Sequence, residues 1–361
     1  MASKNQATLS QLKVALKLMP DLSSLLSSIP STKDSKIRLV DYGCSTGFNS
    51  VSTFSSIFSE FRRFHSNPIS VTHVDLPNIN WPEFENTINS AESYIHLPNI
   101  QYSTLAKSFF EPTVEPNSVN FGYSAFSMHY LSEKPFRDPN EFGWVFEKSK
   151  KQGYQDMKHL LNLRINELAP GGVFVMIVNG KEFENKDPSF AAYNFGPIKK
   201  LLDKGIIDEN EFRRYVWRSN PYSVSETLKI LENFSFKIKL VKCEYGKILF
   251  PCYSDYLGTK NTSEFKQKIT EILENRMKPC LFDALTRPET EKSKIFSSAL
   301  NETFLLIDEN PPKLYQDYLI TIIQKSQYIN THANHYLLPP LLILSINHKP
   351  HNFSKPDQQQ L

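Results

Sequence analysis

The sequence is poor in cysteine, and its cysteines do not fall into pairs. The 361 residues include four, Cys44, Cys243, Cys252 and Cys280, and no two of them form a Cys-x-x-Cys motif. This argues against a disulfide framework and favours reduced thiols, which are typical of the cytosol. Residues 1–8 are polar and lack the apolar core of a signal peptide. We therefore expect a cytoplasmic protein.

Long apolar runs and an excess of one charge are absent as well. A membrane-spanning helix needs about 20 apolar residues, whereas the longest candidate, residues 336–346, is broken by Pro339 and Pro340. The 41 basic residues nearly balance the 38 acidic ones. The overall charge therefore favours neither nucleic acid nor an anionic membrane as a partner.

The most informative segment is a strand that ends in a carboxylate and turns tightly into a helix. Residues 37–41 alternate in polarity and end at Asp41, and a helix is predicted to follow, to about Phe64. Between them, Gly43 and Gly47 allow the backbone to approach a ligand closely. The free N–H groups at the start of the helix would point at the same ligand.

The glycine spacing of this turn distinguishes it from two common nucleotide-binding motifs. It is Asp-x-Gly-x-x-x-Gly, which differs from the G-x-G-x-x-G dinucleotide motif, and no Gly-Lys-Ser/Thr follows as in a P-loop. The turn resembles the first motif of methyltransferases that use S-adenosylmethionine (SAM). The alternative is an ordinary strand–turn–helix without a ligand.

A second carboxylate, Asp75, ends the next predicted strand, residues 69–75. Ligands of doubly wound sheets bind at the carboxyl ends of the strands, where an acidic residue accepts from the ribose hydroxyls. Asp41 and Asp75 at neighbouring strand ends therefore suit a ribose-bearing cofactor. A solvated aspartate at a strand end is the alternative.

The wider pattern predicts an α/β protein with a mostly parallel sheet. Strands alternate with amphipathic helices from residue 36 to about 180. The predicted strands are 37–41, 69–75, 100–103, 119–124, 172–179, 236–244 and 318–325. The predicted helices include 50–64, 154–168 (with a left-handed glycine cap in the Ala-Pro-Gly-Gly that follows), 196–202, 209–217, 223–232 and 255–277.

This pattern also divides the chain. Residues 31–182 would form the cofactor-binding core, 183–232 a helical cap, and 233–325 the rest of the sheet with further cap helices. The last segment, 326–361, is rich in Asn, His, Pro and Gln, a composition that predicts a disordered tail.

Four motifs, in the right order, resemble those of the SABATH family of methyltransferases. They lie at residues 41–49 (family pattern Asp-x-Gly-Cys-Ser-Ser-Gly-Pro-Asn), 75–77 (Asp-Leu-Pro), 108–111 (Ser-Phe-Tyr-Gly) and 124–132 (Ser-Ser-Tyr-Ser-Leu-His-Trp-Leu-Ser). The first differs from the family at Thr46 and Phe48. Members of this family methylate salicylic, benzoic, jasmonic and related acids, and also xanthine alkaloids. The similarity covers about residues 1–325.

The resemblance implies a Rossmann-like SAM-methyltransferase fold, a mostly parallel seven-stranded sheet with an α-helical cap, and SAM as cofactor. Residues 1–30 would fold over the active site as a lid, although the family's tyrosine is replaced by Lys4. The cofactor contacts that the resemblance implies are Thr8, Asp41, Gly43, Ser45, Asn49, Asp75, Leu76, Ser108, Phe109 and Ser124.

On the acceptor side, the resemblance implies that Gln11 donates to the substrate carboxylate. Tyr130 replaces the family's tryptophan and keeps a donor in that position. His129 would lie beside the substrate or simply pack there as a neutral ring. Tyr193 and Trp217 would form the aromatic wall of the pocket or belong to the core. Phe126 replaces a tyrosine, which favours a hydrophobic acid.

Carboxyl methylation needs neither a general base nor a metal, because the acid is already ionised at neutral pH. We therefore expect positioning residues only, with no catalytic residue and no metal site. Two alternatives remain open at this point: methylation of a nitrogen or a phenolic oxygen on the same fold, and a SAM-binding protein without activity. The substrate would be a small carboxylic acid. Homodimers are common in the family, but no segment identifies an interface.

Overall fold

Seven strands form one sheet in this computed structural model, which describes residues 6–30, 36–138, 141, 146–184 and 190–327, with side chains from residue 9 onward. The strands are β1 (Ile37–Tyr42), β2 (Ile69–Asp75), β3 (Ile100–Ala106), β4 (Val119–Ala125), β5 (Leu168–Asn179), β6 (Ile238–Leu249) and β7 (Tyr315–Lys325). Their order is β3-β2-β1-β4-β5-β7-β6. The first five are parallel, and β7 is antiparallel to both β5 and β6. The predicted α/β class with a mostly parallel sheet is confirmed.

Eleven α-helices surround this sheet within the described residues. They are α1 (Gln6–Leu16), α2 (Met19–Ser27), α3 (Phe48–Phe61), α4 (Trp81–Ile88), α5 (Glu147–Glu167), α6 (Ala191–Asp203), α7 (Glu209–Arg214), α8 (Val224–Leu231), α9 (Pro251–Thr259), α10 (Thr262–Ala284) and α11 (Glu289–Glu309).

The helices pack in three groups. Helices α1 to α4 cover one face of the sheet, where Phe54 and Phe58 of α3 are fully buried. Helices α5 and α8 cover the other face. Because both faces are covered, the interior strand β5 is apolar without interruption, from Val173 to Val178. Helices α6, α7, α9, α10 and α11 enclose a separate apolar core, which forms the cap.

The packing of α8 and the end of α5 differ from the sequence expectations. Helix α8, expected in the cap, instead packs on the sheet beside α5. Helix α5 ends at Glu167 because Leu168 is already extended (ψ 134°) and begins β5. Gly171 therefore does not cap the helix. It has a φ of +77° inside a bulge of β5, where the pairing shifts between Val119 and Phe121 of β4.

Some expectations fall outside the described residues. The predicted disordered tail, 326–361, lies outside them from residue 328 onward. Within the described part of the chain, no helix has the length and apolar character needed to cross a membrane.

Candidate functional site

A cavity of about 600 Å³ opens at the carboxyl ends of β1, β2 and β4. This volume lies within the usual range of small-molecule sites, roughly 300–1,000 Å³. Asp41 and Asp75 both line it, so the two strand-end carboxylates share one site as predicted. Eight further predicted residues also line the cavity: Gln11, Gly43, Ser45, Asn49, Leu76, Ser108, Phe109 and Tyr130.

The turn after β1 is held close to the cavity by its glycines. Gly43 has a φ of +87°, and a Cβ there would come within 2.3 Å of the Ser127 side chain. The Ser127 hydroxyl donates to the Gly43 carbonyl at 2.9 Å, and the Gly43 amide donates to the carbonyl of Val74 at 2.7 Å. The turn is thus fixed to β2 and to the loop after β4, and a side chain at position 43 would break this arrangement.

Asp75 joins the ends of the two strands. Its carboxylate accepts from the amide of Ser45 at 2.6 Å and from the amide of Leu76 at 2.8 Å. Burial raises the pKa of this carboxyl, and the charge of Asp41 adds to that effect, whereas the two amides oppose it. Each oxygen has a second lone pair. The carboxylate can therefore also accept from the two hydroxyls of a ribose.

Asp41 is anchored more deeply than Asp75. It is only 2% exposed, and its Oδ2 accepts from the Ser50 hydroxyl at 2.6 Å and from Nδ1 of His73 at 2.8 Å. The other ring nitrogen of His73 bonds to the hydroxyl of Tyr94. This buried chain holds Asp41 in place beside the cavity. Sequence reasoning missed His73, although Asp41 and His73 are direct register partners of β1 and β2.

An apolar slot, formed by Leu76, Phe109 and Phe110, is part of the cavity wall. Leu76 is 44% exposed, and the rings of Phe109 and Phe110 lie 5.2 Å apart. The Ser108 hydroxyl accepts from the Phe110 amide at 3.2 Å, which fixes the loop that carries both rings. A flat apolar slot with one hydroxyl at its edge suits a purine ring.

Gln11 reaches the cavity from helix α1. Its Oε1 accepts from Nδ2 of Asn49 at 3.4 Å. The other side-chain atom of Asn49, Oδ1, is enclosed and has no hydrogen-bond partner among the described residues. An enclosed, unsatisfied acceptor beside the cavity suits a ligand that brings a donor, such as an ammonium group. Thr8 lies in the same helix, and its side chain falls outside the described part of the structure.

Tyr130 lines the cavity and lies on a loop that is anchored by backbone and side-chain contacts. It forms an antiparallel bridge with Ser219, and Nε of Arg218 donates to the Leu131 carbonyl at 2.8 Å. Arg218 also donates to the carbonyl of Ser132. Half of the Tyr130 surface is accessible (52%) because the ring faces the cavity. Arg218 lines the cavity too, and no sequence motif had indicated it.

Two predicted residues lie beside the cavity but do not line it. His129 is 3% exposed, its ring packs 4.7 Å from that of Tyr130, and its Nδ1 accepts from the Asn179 amide at 3.4 Å. Burial lowers the pKa of His129 to about 3, so the ring is neutral. This agrees with the alternative in which His129 packs beside the site and does not contact the substrate. Ser124 is fully buried and donates to the Tyr42 carbonyl at 2.9 Å. The predicted cofactor contact of Ser124 is therefore corrected.

The two aromatic residues predicted for the pocket wall belong to the cap core. Tyr193 is fully buried among cap side chains, and its hydroxyl donates to the carbonyl of Pro312. Trp217 packs against the cap core, with its ring 6.0 Å from that of Phe190. Neither lines the cavity. The core alternative holds for both, because the cap needs large rings to fill its own interior.

Charged and neutral polar side chains share the cavity lining. The carboxylates Asp41 and Asp75 lie at the ends of β1 and β2, Gln11 and Tyr130 offer neutral donors, and Arg218 supplies a cation. Among the described residues, no group of three or more His, Cys, Asp or Glu side chains could hold a metal ion. The lining therefore suits a cationic nucleoside together with a polar acceptor.

Comparisons with known proteins agree with this geometry. The model of a protein family described as SAM dependent carboxyl methyltransferase matches residues 2–292. The chain is similar to Methyltransferase FUS9 of Gibberella moniliformis, 23% identical over 272 residues that cover 73% of this chain and 75% of that protein. It is also similar to a benzoic acid/salicylic acid carboxyl methyltransferase of Petunia hybrida, 24% identical over 70% of this chain and 82% of that one.

A solved structure shares the fold. The structure of a loganic acid methyltransferase with SAH superposes with a TM-score of 0.68 over 91% of this chain and 97% of that chain, at 16% sequence identity. This similarity extends across the sheet and the helices together.

Proposed function

This chain belongs to the family of SAM-dependent carboxyl methyltransferases, and we propose that it methylates the carboxylate of a small, hydrophobic organic acid. The observation that carries this proposal is the composition of the cavity. The carboxylates Asp41 and Asp75 line it together with the neutral side chains of Gln11 and Tyr130. The methyl donor is a cation and the acceptor an anion, so each would meet a suitable environment.

The cofactor side has the features that SAM requires. Asp75 would accept from the ribose hydroxyls, and the slot of Leu76, Phe109 and Ser108 would hold the adenine. The unsatisfied Oδ1 of Asn49 would accept from the ammonium group. Gly43 lets the turn pack closely against Ser127, where a side chain would not fit, and so keeps the turn in place beside the cofactor site. When bound, SAM supplies an electrophilic methyl group on sulfur.

The chain's own contribution to the reaction is orientation. A carboxylic acid with a pKa near 4 is ionised at neutral pH, so no side chain has to remove a proton. Alignment of the reacting atoms is worth roughly 7–11 kcal/mol in favourable cases. We propose that Gln11 and Tyr130 fix one carboxylate oxygen while the other remains free to attack. Neutral donors do this without strongly stabilising the ground state.

The cavity walls favour a water-poor acceptor site. Helix α1 carries Gln11 and packs with α2 against α3, so the lid and the acceptor contact come from one element. Phe126 lines the cavity in a strained backbone conformation, with a φ of +55°. Exclusion of water would strengthen the attraction between the anion and the cationic donor. An apolar body on the acid fits these walls.

The test is product formation with labelled SAM. Wild-type protein, incubated with a panel of aromatic, fatty and terpenoid acids that also includes xanthines and phenols, should yield methyl esters of acids. Tyr130→Phe should lower kcat/KM for acids by about 10-fold or more, the effect of one lost hydrogen bond to an anion. Ester formation that is indifferent to this change, or methylation only of xanthines or phenols in the panel, would contradict the carboxylate role. SAM binding without any methylated product would favour the inactive alternative.

We also propose a cytoplasmic location, supported by four cysteines that are all free thiols. Fluorescence of a tagged full chain, co-imaged with a cytosolic marker, would test it. Exclusive accumulation in an organelle would contradict it.

A further inference from the structure

His73 is a histidine with no exposed surface, and it lies near the end of β2 as the register partner of Asp41. Its ring packs among aromatic side chains, with centre-to-centre distances of 5.0 Å to Phe84 and 5.8 Å to Phe54. An aliphatic side chain would fill such a space without the cost of burying two polar nitrogens. The polarity of this ring therefore needs a reason other than packing.

Both ring nitrogens are hydrogen-bonded, and their partners determine the tautomer. Nδ1 bonds to Oδ2 of Asp41 at 2.8 Å, and Nε2 bonds to the hydroxyl of Tyr94. Burial raises the pKa of Tyr94, and the charge of Asp41 adds to the effect, so the hydroxyl keeps its proton. No other described residue bonds to this hydroxyl, so its O–H has to donate to Nε2. The ring is then neutral, and its single proton is on Nδ1 and is donated to Asp41.

This arrangement leaves Asp41 charged and fixed in orientation. Because the ring of His73 is neutral, it donates to the carboxylate without cancelling the negative charge. Oδ2 also accepts from the Ser50 hydroxyl of α3 at 2.6 Å, so donors from β2 and α3 converge on one oxygen and fix the plane of the group. No described residue donates to the other oxygen, Oδ1. Since Asp41 lines the cavity, Oδ1 is the oxygen that remains for a ligand.

We propose that His73 is a positioning residue of the cofactor site: as the Nδ1–H tautomer selected by Tyr94, it orients Asp41 so that Oδ1 meets the positive charge of SAM. This inference concerns the cofactor side, so it holds whichever acid is methylated. A carboxylate that is already oriented loses little conformational freedom when the ligand binds. In a buried chain in which every member is satisfied, each hydrogen bond also strengthens the next.

A second buried histidine shows the contrast with a purely structural role. Nε2 of His65 donates to the carbonyl of Leu26 at 2.8 Å, and its ring packs 4.9 Å from that of Phe61. His65 thus joins α2 to the end of α3, and it does not line the cavity. His73 differs because its partner, Asp41, is itself a cavity residue. A substitution at His73 should therefore affect ligand affinity as well as stability.

The experiment uses two amides that place a donor at different positions. Asparagine carries its NH₂ group near the position of Nδ1, whereas glutamine carries it near the position of Nε2. His73→Asn can therefore still donate to Asp41, and His73→Gln has no donor at that position. In calorimetric titration, His73→Gln should raise the Kd for SAM by about 10-fold, at the lower end of what a hydrogen bond to a charged group contributes. His73→Asn should stay within about threefold of the wild type.

Two controls separate affinity from packing. Both variants bury an amide among the same rings, so thermal unfolding without ligand should show similar losses of stability. His65→Gln changes a buried histidine elsewhere and should leave the Kd for SAM unchanged. A measurement on the wild type needs no variant: NMR of isotope-labelled histidine nitrogens in the free protein should show His73 with a proton on Nδ1 and none on Nε2.

The possible outcomes decide the role of His73 without involving the acceptor. Equal Kd values for His73→Asn and His73→Gln would overturn the proposal and leave His73 as a packing residue. A proton on Nε2 in the free wild type would overturn it as well, even if His73→Gln did not fold. None of these results depends on ester formation by the wild type, which tests the proposed function separately.

Discussion

Replacing Asp75 with asparagine tests the residue that joins the turn, the second strand and the proposed ribose site. In the wild type, each carboxylate oxygen accepts one backbone amide, from Ser45 at 2.6 Å and from Leu76 at 2.8 Å. Asparagine has the same shape, but one of its two terminal atoms becomes a donor. That donor must face one of the two amides, and it cannot accept from a ribose hydroxyl.

The size of the effect follows from the bonds that are lost. A hydrogen bond to a charged group contributes about 1.5–3 kcal/mol. Asp75→Asn removes the negative charge that would accept from the ribose. It also places the NH₂ group of the asparagine against one of the backbone N–H groups in the turn. We expect a loss of SAM affinity of about 3–5 kcal/mol, which corresponds to a Kd raised by roughly 10²- to 10⁴-fold.

The stability of the free protein should change less than the affinity. Burial raises the pKa of the Asp75 carboxyl, which means that the folded state disfavours its ionised form. The neutral asparagine removes that unfavourable contribution and so offsets part of the lost hydrogen bonding. Calorimetric titration with SAM and with its demethylated product measures the affinity, and thermal unfolding without ligand measures the stability.

Asp308→Asn is a suitable control, because Asp308 pairs with Lys266 on the surface of the cap. It should leave the Kd for SAM unchanged. If Asp75→Asn binds SAM within about threefold of the wild type and unfolds at the same temperature, Asp75 does not hold the ribose. A large loss of both folding and binding would place its main role in the turn.

Three further predictions concern the same site. The pKa of Asp75 is raised, so as the pH falls its carboxylate becomes protonated at a higher pH than an ordinary aspartate does. SAM affinity should therefore begin to decrease at that higher pH, by up to about tenfold per pH unit. Calorimetric titrations with SAM in buffers of decreasing pH measure this. Gly43→Ala should abolish SAM binding in calorimetry while the protein still folds, because its Cβ would meet Ser127. Arg218→Met should lower kcat at unchanged SAM affinity, because it releases the carbonyl of Leu131 beside Tyr130; rapid-mix kinetics would show it.

The sequence allowed prediction of the sheet and of the cofactor side because both depend on local patterns. Alternation of polarity located β2 at its observed bounds and placed Asp75 at its end. The two strands β1 and β2 are parallel neighbours, and their carboxyl ends must then meet at one edge of the sheet. The joint position of Asp41 and Asp75 at one cavity follows from that rule alone.

The prediction that Ser124 contacts the cofactor was based on a motif and ignored the direction of its side chain. Tyr123 and Ala125, its neighbours in β4, line the cavity. Successive side chains of a strand point to opposite faces, so Ser124 must point away, and it donates to the Tyr42 carbonyl instead. The alternation that located the strand could therefore have excluded this residue.

The packing of the cap could not be predicted. The positions of Tyr193 and Trp217 depend on how helices distant in sequence pack together, and no local pattern determines that packing. An aromatic residue of the cap has the same local sequence pattern whether it faces a substrate or the interior. Arg218 likewise lines the cavity from the segment between α7 and α8, and no motif marks it.

The two carboxylates of the site also have a consequence for turnover. Asp41 and Asp75 both line the cavity that would hold the cofactor. Methyl transfer to a carboxylate consumes one cation and one anion and leaves a thioether and an ester, both neutral at the reacting atoms. Asp41 and Asp75 would attract the sulfonium of bound SAM and would lose that attraction once the methyl group had been transferred. The same carboxylates would therefore favour binding of the charged cofactor over binding of its neutral thioether product.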